Sequence, residues 1–208
     1  MTENKMLSFD PASMMPRDVY KLLIGAVVPR PIAFVSTVGT NNLRNVAPFS
    51  FFTVASSNPP VVVFCSSVPG RDRAMKDTLR NVLDTREFVV NIVSEDFAAQ
   101  MNECSATVPP EVDEFALSGL TPAPSDLVKP PRVAESQVQM ECRLLQVVTV
   151  SEKPMGGSLV LGEVLRFHVA DNVVSNFQID PEKLRAIGRM AGVTYCRTTD
   201  RFELKRPE

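Results

Sequence analysis

The chain has 208 residues, of which 44% are hydrophobic and 22% charged, and its formal net charge is −2. This length and composition predict a single globular domain, residues 1–208, with one sizeable core. Lysine and arginine are dispersed along the chain instead of forming a stripe, which disfavours nucleic-acid binding. The N-terminus lacks a secretory pattern and no apolar run is long enough to cross a bilayer, so we expect a cytoplasmic protein without membrane contact.

The first 45 or so residues predict an arm, a helix and a hairpin. Residues 1–16 are expected to form an extended arm, followed by a short helix over 17–24 that Gly25 ends. Prolines on both sides of Arg30 hold its guanidinium in an extended segment. A strand over 32–38 then leads through hairpin turn residues into a return strand.

Residues 46–54 are the stretch around which we expect the chain to be organised. Proline cannot donate to a sheet ladder, so Pro48 predicts a bend or a sheet edge. Beyond it Ser50 lies between aromatic rings, whereas a purely structural strand would keep polar and apolar side chains on opposite faces. The run indicates either a bent core strand or a wall for a ligand with a planar ring and an anionic tail. Its candidate binding residues are Ala47, Pro48, Phe49, Ser50, Phe51 and Phe52.

Two hydroxyls mark the end of the next strand. Residues 61–65 are apolar throughout, as in a strand buried on both faces, and Ser66 and Ser67 follow them. We expect residues 68–71 to form a loop before the next element.

An amphipathic helix is predicted over residues 75–85. Its first turn contains Lys76, Asp77 and Thr78, where free N–H groups and the positive dipole end favour a phosphate. The alternative is that Asp77 caps the helix and Lys76 is solvated.

The second half of the chain predicts more strands than helices. We expect a strand over 87–93, a short helix over 96–102, a proline-rich excursion over 105–131, and two long strands over 138–150 and 158–169 joined by a hairpin at 154–157. Asp180 and Pro181 then open a short helix, and the glycine-interrupted tail places Arg189 near Tyr195. About seven strands with frequent turns predict a mainly β barrel with a few peripheral helices.

Cysteine and histidine usage points to cofactor chemistry. The four cysteines lie far apart without a C-x-x-C pair, so neither a zinc site nor a disulfide framework is expected, and Cys65 and Cys142 should act as small hydrophobes. The only histidine is His168, and no G-x-S-x-G motif offers it a nucleophile. His168 is either structural or positioned to orient a bound substrate. Chemistry here is expected to depend on a cofactor.

Several runs, in this order, resemble the flavin reductase-like family, especially its branch of flavoredoxins and small reductase components of two-component monooxygenases. The resemblance covers roughly residues 15–200. The runs are PRPIAFVST (29–37), NVAPFSFF (45–52), KDTLRN (76–81), EFVVN (87–91), KPPRV (129–133), LGEV (161–164) and RMAGVTY (189–195).

This resemblance implies a split β-barrel that binds FMN non-covalently, usually as a homodimer with each flavin near the subunit interface. Residues 47–52 would line the isoalloxazine and ribityl chain, and four side chains would hold the phosphate: Ser66, Ser67, Lys76 and Thr78. The matched motifs add Arg30, Asp77 and Asn81 to the cofactor-binding candidates, and His168, Arg189 and Tyr195 are candidate substrate residues. The family tail usually has two glycines where this chain has Ala191 and Gly192.

The function implied is an NAD(P)H-dependent FMN reductase that transfers a hydride from nicotinamide to flavin and can supply reduced flavin to an oxygenase. No G-x-G-x-x-G fingerprint is present, so NADH or NADPH would have to bind by stacking over the flavin. The alternatives are a non-enzymatic FMN electron carrier with a protein partner and a structural protein that has lost its flavin.

Overall fold

A computed structural model describes residues 5–68 and 75–207, so part of the predicted loop at 68–71 lies outside the described residues. The helices of the described chain are α1 (Pro16–Ala26), α2 (Asp77–Thr85), α3 (Ala98–Glu103), α4 (Glu114–Ser118) and α5 (Pro181–Leu184). Short 3₁₀ turns occur at Pro11–Ser13, Glu95–Phe97 and Asp171–Val173. None of the described helices is long and apolar enough to span a membrane.

Strands dominate the described chain, and the prediction of a mainly β fold is confirmed. The strands are β1 (Ala33–Val38), β2 (Arg44–Phe49), β3 (Phe52–Ser57), β4 (Pro60–Ser67), β5 (Glu87–Ile92), β6 (Pro122–Ala123), β7 (Arg132–Val133), β8 (Val138–Ser151), β9 (Gly157–Val169), β10 (Val174–Ser175), β11 (Gln178–Ile179), β12 (Ile187–Arg189) and β13 (Tyr195–Arg197). The predicted long hairpin is the pair β8–β9, which is antiparallel along its length.

The central sheet is a seven-stranded antiparallel sheet in the order β2-β1-β5-β8-β9-β4-β3. Its two edge strands are consecutive in the chain and are joined only by Ser50 and Phe51, so the sheet must curl until its edges approach each other. At this seam the rings of Phe49 and Phe64 lie 4.9 Å apart, and the Cys65 amide donates to the Phe51 carbonyl at 2.8 Å. The prediction of a bend or a sheet edge at Pro48 is confirmed as an edge, because β1 is the only described strand with which β2 pairs.

Side-chain alternation along β1 and β2 divides the core into two clusters. Ala33, Val35 and Phe49 face an inner core that also includes Phe64, Leu79, Phe88, Cys142 and Val160. Ile32, Phe34 and Val46 face an outer core that includes Phe97, Met101, Phe115, Val133 and Ile187. The inner core fills the barrel, and the outer core attaches α3, α4 and the tail strand β12 to the outside of β1 and β2.

The prediction that Gly25 ends the first helix is wrong, since α1 continues to Ala26. Arg30 supplies the physical reason: its Nη1 donates at 2.8 Å to the carbonyls of both Ile24 and Val27. A side chain from beyond the helix therefore satisfies terminal carbonyls that a C-terminal glycine usually helps to satisfy. The other helix boundaries differ from the predictions by no more than three residues.

All four cysteines are free. Cys142 is fully buried in the inner core, as predicted for a small hydrophobe, whereas Cys65 is only half-buried. The proline-rich excursion also has internal structure that its composition did not predict, namely α4 and the short strand β6, which pairs with β7 just beyond the excursion.

Candidate functional site

The seam between β2 and β3 presents an aromatic, partly exposed surface. Phe49 is buried in the inner core, while Ala47 and Phe52 pack against that core from partly buried positions. Ser50 is half-buried, and the Phe51 side chain is 43% exposed. The stretch is therefore both the end of a core strand and a surface on which a planar group could lie. The bent core strand and the ligand wall, which the sequence left as alternatives, are therefore compatible.

A cavity of about 450 Å³ opens beside the seam, between the end of β4 and the start of α2. We call it the serine–lysine cavity, because Ser66, Ser67 and Lys76 line it. The Ser66 hydroxyl is buried, with the residue 2% exposed, and has no hydrogen-bond partner among the described residues. A buried hydroxyl without a partner is costly, and a bound ligand would satisfy it.

Lys76 contributes the cationic group of this cavity. Its residue is half-buried, and among the described residues it has no carboxylate partner. Burial lowers the pKa of Lys76 below its ordinary value, and Cys65 acts weakly in the opposite direction. Lys76 also immediately precedes α2, whose first N–H groups have no partners within the helix. An anion is the ligand that this combination favours.

The structure does not bring the Thr78 side chain into the serine–lysine cavity. Thr78 is buried and its Oγ1 donates to Asn45 Oδ1 at 2.8 Å, while Asn81 Nδ2 donates to Thr37 Oγ1 at 3.1 Å. Asn45 in turn donates to Glu114 Oε1 at 2.7 Å. This polar network joins α2 to β1, β2 and α4. Any contact of Thr78 with an anion in the cavity would therefore use its backbone N–H group.

Asp77 and Asn81 line a separate cavity of about 140 Å³ between the β1–β2 turn, α2 and α4. Asp77 forms an ion pair with Arg80 one turn along the helix. It does not act as the side-chain cap of α2: the capping position is Lys76, without a side-chain bond. Glu114 also lines this cavity, and burial raises the pKa of its carboxyl.

Arg30 fastens three parts of the chain together. In addition to the two carbonyls at the end of α1, its Nη2 donates to the Met190 carbonyl at 2.9 Å. Its guanidinium lies 6.0 Å from the centroid of the Phe51 ring, and its Nε is 3.4 Å from Ser50 Oγ. Arg30 therefore supports the seam from behind, with most of its donors already used by backbone carbonyls.

A further cavity of about 190 Å³ lies behind the seam, between α1, α3 and the tail. We call it the arginine pocket. Five of the predicted residues line it, namely Arg30, Pro48, Ser50, Arg189 and Tyr195. The predicted proximity in the tail is confirmed, since the Arg189 guanidinium lies 4.4 Å from the centroid of the Tyr195 ring.

His168 lies in another part of the molecule. It lines a cavity between β8 and β9 that includes none of the seam residues, and its Nε2 is 2.6 Å from Glu141 Oε1. Glu141 is fully buried and also accepts hydrogen bonds from the backbone amides of Asp126, Leu127 and Val128. Burial raises the pKa of Glu141, but these hydrogen bonds outweigh it and the net shift is downward.

Asp126, Glu141 and His168 place possible ligand atoms within 4.8 Å of one another. However, each Glu141 oxygen already accepts two hydrogen bonds, and Asp126 is paired with Arg166. We therefore interpret this group as an anchor for the proline-rich excursion.

Two contributors were missed by sequence reasoning. Tyr20 had been treated only as part of α1, yet its side chain lines the arginine pocket. Glu141 had been passed over inside an apolar strand pattern, although a lone carboxylate between Met140 and Cys142 is a signal of a buried polar anchor.

Comparison with known proteins now identifies the fold and family. The family described as "Flavin reductase like domain" matches residues 25–197, which include the seam, the serine–lysine cavity and the tail. The chain belongs to the flavin reductase-like family. An uncharacterized protein of Aquifex aeolicus is 44% identical over 90% of this chain and 93% of its own length.

Solved structures confirm the split-barrel fold that the resemblance implied. Nitrilotriacetate monooxygenase component B from Bacillus cereus superposes with a TM-score of 0.92 at 38% identity, covering 97% of this chain and 100% of that one. The 2-nitrobenzoate 2-nitroreductase of Pseudomonas fluorescens superposes with a TM-score of 0.87 at 29% identity, covering 97% and 96%. Flavoredoxin of Desulfovibrio vulgaris shares the fold at 20% identity, with a TM-score of 0.71 and coverage of 86% and 91%.

Membership of the flavin reductase-like family implies flavin binding and an oxidoreductase function. The chain's departure from the usual family tail has a simple structural correlate. Gly192 keeps a positive φ of +60°, a backbone conformation that favours glycine, whereas Ala191 is exposed and is not in that region. The alanine is therefore accommodated without backbone strain.

Proposed function

We propose that the protein binds FMN and acts as an NAD(P)H:flavin oxidoreductase. The observation that carries the proposal is the serine–lysine cavity at the start of α2. Among the described residues, the buried Ser66 hydroxyl has no hydrogen-bond partner and the Lys76 ammonium group has no carboxylate partner. This is the chemistry that a phosphate monoester requires. FMN has such a phosphate and riboflavin does not.

The residues present fit both ends of FMN. Ser66, Ser67 and Lys76 would hold the phosphate, with the first N–H groups of α2 as further donors. The seam would face the ring system through Phe51 and the backbone around Ser50. Lys76 connects the two regions, because its ammonium group lies against the Phe49 ring.

Bound FMN would supply the redox chemistry, accepting a hydride from the nicotinamide of NADH or NADPH. The chain's own part is to bind the phosphate, support the ring and fix the seam through Arg30. No protein acid is required, since solvent can protonate reduced flavin. His168 is assigned no part in this chemistry, because it lines a different cavity and is bonded to Glu141.

We also propose that the protein is a homodimer. Within the described chain the edge strand β3 pairs with β4 alone, and Val54 on it is 69% exposed. Exposed apolar residues on an edge strand favour association with another chain. The similarity to a monooxygenase component supports an oxygenase as the recipient of reduced flavin.

An FMN electron carrier is the competing function, and anaerobic mixing separates the two. The purified protein, loaded with FMN, is mixed with NADH or NADPH while the visible flavin absorption is followed. Rapid bleaching by one nucleotide, with turnover of added FMN, is the expected result. Absence of bleaching with both nucleotides would contradict a reductase and favour the carrier, and failure to bind FMN at all would favour a protein that has lost its flavin.

A further inference from the structure

The arginine pocket contains two guanidinium groups and, among the described residues that line it, no acidic side chain. Arg30 is 4% exposed and its charge is held in place by three backbone carbonyls. Burial lowers the pKa of Arg30, and the nearby charge of Arg189 acts in the same direction. Two like charges in one cavity repel each other, and an anion between them would relieve that repulsion.

Arg189 has hydrogen-bond donors left for such an anion. One face of its guanidinium lies on the Tyr195 ring, and Nη2 donates to the Gly192 carbonyl at 2.5 Å. No carboxylate of the described residues pairs with it. A guanidinium has five N–H donors in a planar fork that matches a carboxylate, so most of its donors remain available.

The remaining lining of the pocket selects the body of the ligand. Ile24, Ile32 and Met101 provide apolar walls, and Tyr20 and Tyr195 provide aromatic ones. The volume of about 190 Å³ lies below the about 300–1,000 Å³ that is usual for drug-sized ligands. One small ring with one anionic group fits this description, and a whole dinucleotide does not.

We propose that the arginine pocket binds a small aromatic carboxylate, with Arg189 as the residue that binds its anionic group. This inference deepens the proposed function, because Pro48 and Ser50 line the pocket and also belong to the proposed flavin wall. Such an acid would lie beside the flavin site, where a substrate or an effector of the reductase would act. Its binding requires only the pocket and not the flavin.

Calorimetric titration of the full chain with benzoate tests the inference, both with and without saturating FMN. Benzoate should bind, and its neutral isostere benzamide and the ringless anion acetate should each bind about tenfold more weakly or worse. Equal affinity for benzamide would overturn the role of the charge. Tighter binding of inorganic phosphate than of benzoate would overturn the aromatic acid in favour of a phosphate ligand.

Substitutions at Arg189 test whether this residue binds the carboxylate of benzoate. Arg189→Gln should weaken benzoate binding about tenfold or more, with partial recovery in Arg189→Lys. Arg185→Gln is the matched control, because this arginine caps the end of α5, pairs with Glu95 and Asp96 and does not line the pocket. The substitution should leave benzoate affinity unchanged. Unchanged benzoate affinity in Arg189→Gln would refute the assignment.

A second variant covers the case in which Arg189→Gln fails to fold. Ser105 is exposed at the rim of the pocket, and Ser105→Glu would place a carboxylate near the guanidinium groups. Benzoate binding should be lost in this variant, and its retention would contradict the proposal. FMN titration and anaerobic bleaching are measured in parallel. Benzoate binding without flavin reduction would contradict the proposed reductase and leave the carboxylate site standing. Flavin reduction without benzoate binding would contradict the carboxylate site alone.

Discussion

Lys76 Nζ lies 5.2 Å from the centroid of the Phe49 ring. This contact joins the two candidate segments, the seam and the start of α2, which are separated in sequence by β3 and β4. A cation this close to an aromatic face is attracted by the ring quadrupole. Phe49 belongs to the inner core, so its ring is held in place by the packing around it. The contact therefore keeps the ammonium group of Lys76 at the mouth of the serine–lysine cavity.

Lys76→Ala should weaken FMN binding by about 1–3 kcal/mol, since it removes a charge-assisted contact with the phosphate. Riboflavin binding should change much less. Fluorescence titration of both flavins measures this, with Lys153→Ala, an exposed lysine on the β8–β9 turn, as the matched control. If FMN affinity were the same in Lys76→Ala and the parent protein, Lys76 would have no role in phosphate binding.

Ser66→Ala should separate ligand binding from stability. Its hydroxyl has no partner among the described residues, so its removal should leave the free energy of unfolding nearly unchanged or slightly higher. FMN binding should weaken by about 0.5–1.5 kcal/mol. Both quantities are obtained from denaturant unfolding without flavin and from FMN titration.

Ser36→Ala is the control for this experiment. The Ser36 hydroxyl is satisfied within the fold, since it donates to the Pro131 carbonyl at 2.5 Å. That variant should therefore lose stability without losing FMN affinity. A large loss of stability in Ser66→Ala would show that its hydroxyl has a structural partner.

Glu141→Gln should destabilise the fold by about 1–3 kcal/mol, because an amide cannot accept all four of the hydrogen bonds that the carboxylate receives. Proteolysis should become faster within residues 124–131, which those bonds fasten. Glu163→Gln, which breaks only an exposed pair with Arg143, should cost about 0–1 kcal/mol. Equal costs for the two variants would contradict an anchoring role for Glu141.

The same carboxylate predicts a pH dependence of stability. The pKa of Glu141 in the folded state lies below the ordinary value of 4.5, so the unfolded state takes up a proton first as the pH falls. Its stabilising contribution is therefore complete above the ordinary pKa and is lost as the pH falls through the folded-state pKa. The difference in unfolding free energy between the parent and Glu141→Gln should shrink as the pH falls below the ordinary pKa and through the lowered folded-state pKa. A difference that stayed constant would contradict the lowered pKa.

Local patterns were sufficient to predict most strands of the central sheet, the amphipathic helix α2 and the edge at Pro48, but not the short strands β6, β7 and β10 to β13. Each of these depends on periodicity or on proline chemistry over a few residues. The closure of the sheet depends instead on β2 and β3 being its two edges, which is a property of the whole strand order. Gly25 was misjudged for a related reason, since Arg30 lies outside the helix whose end it satisfies.

The candidate site was predictable in part. Ser66, Ser67 and Lys76 come together as the resemblance implied, because the end of β4 and the start of α2 meet at one cavity. Thr78 does not join them, because its hydroxyl donates to Asn45 on β2. The direction of that side chain depends on how α2 packs on the sheet, which local sequence patterns do not show. His168 was left open between two roles, and the buried carboxylate that holds it is on a neighbouring strand.

The proposed flavin site depends on the serine–lysine cavity receiving the phosphate of FMN. Its most direct test is the dissociation constant of the purified protein for FMN compared with that for riboflavin, which has the same ring system and ribityl chain without the phosphate. FMN should bind at least about tenfold more tightly than riboflavin, and Lys76→Ala should remove most of this difference. Equal affinity for the two flavins would contradict it.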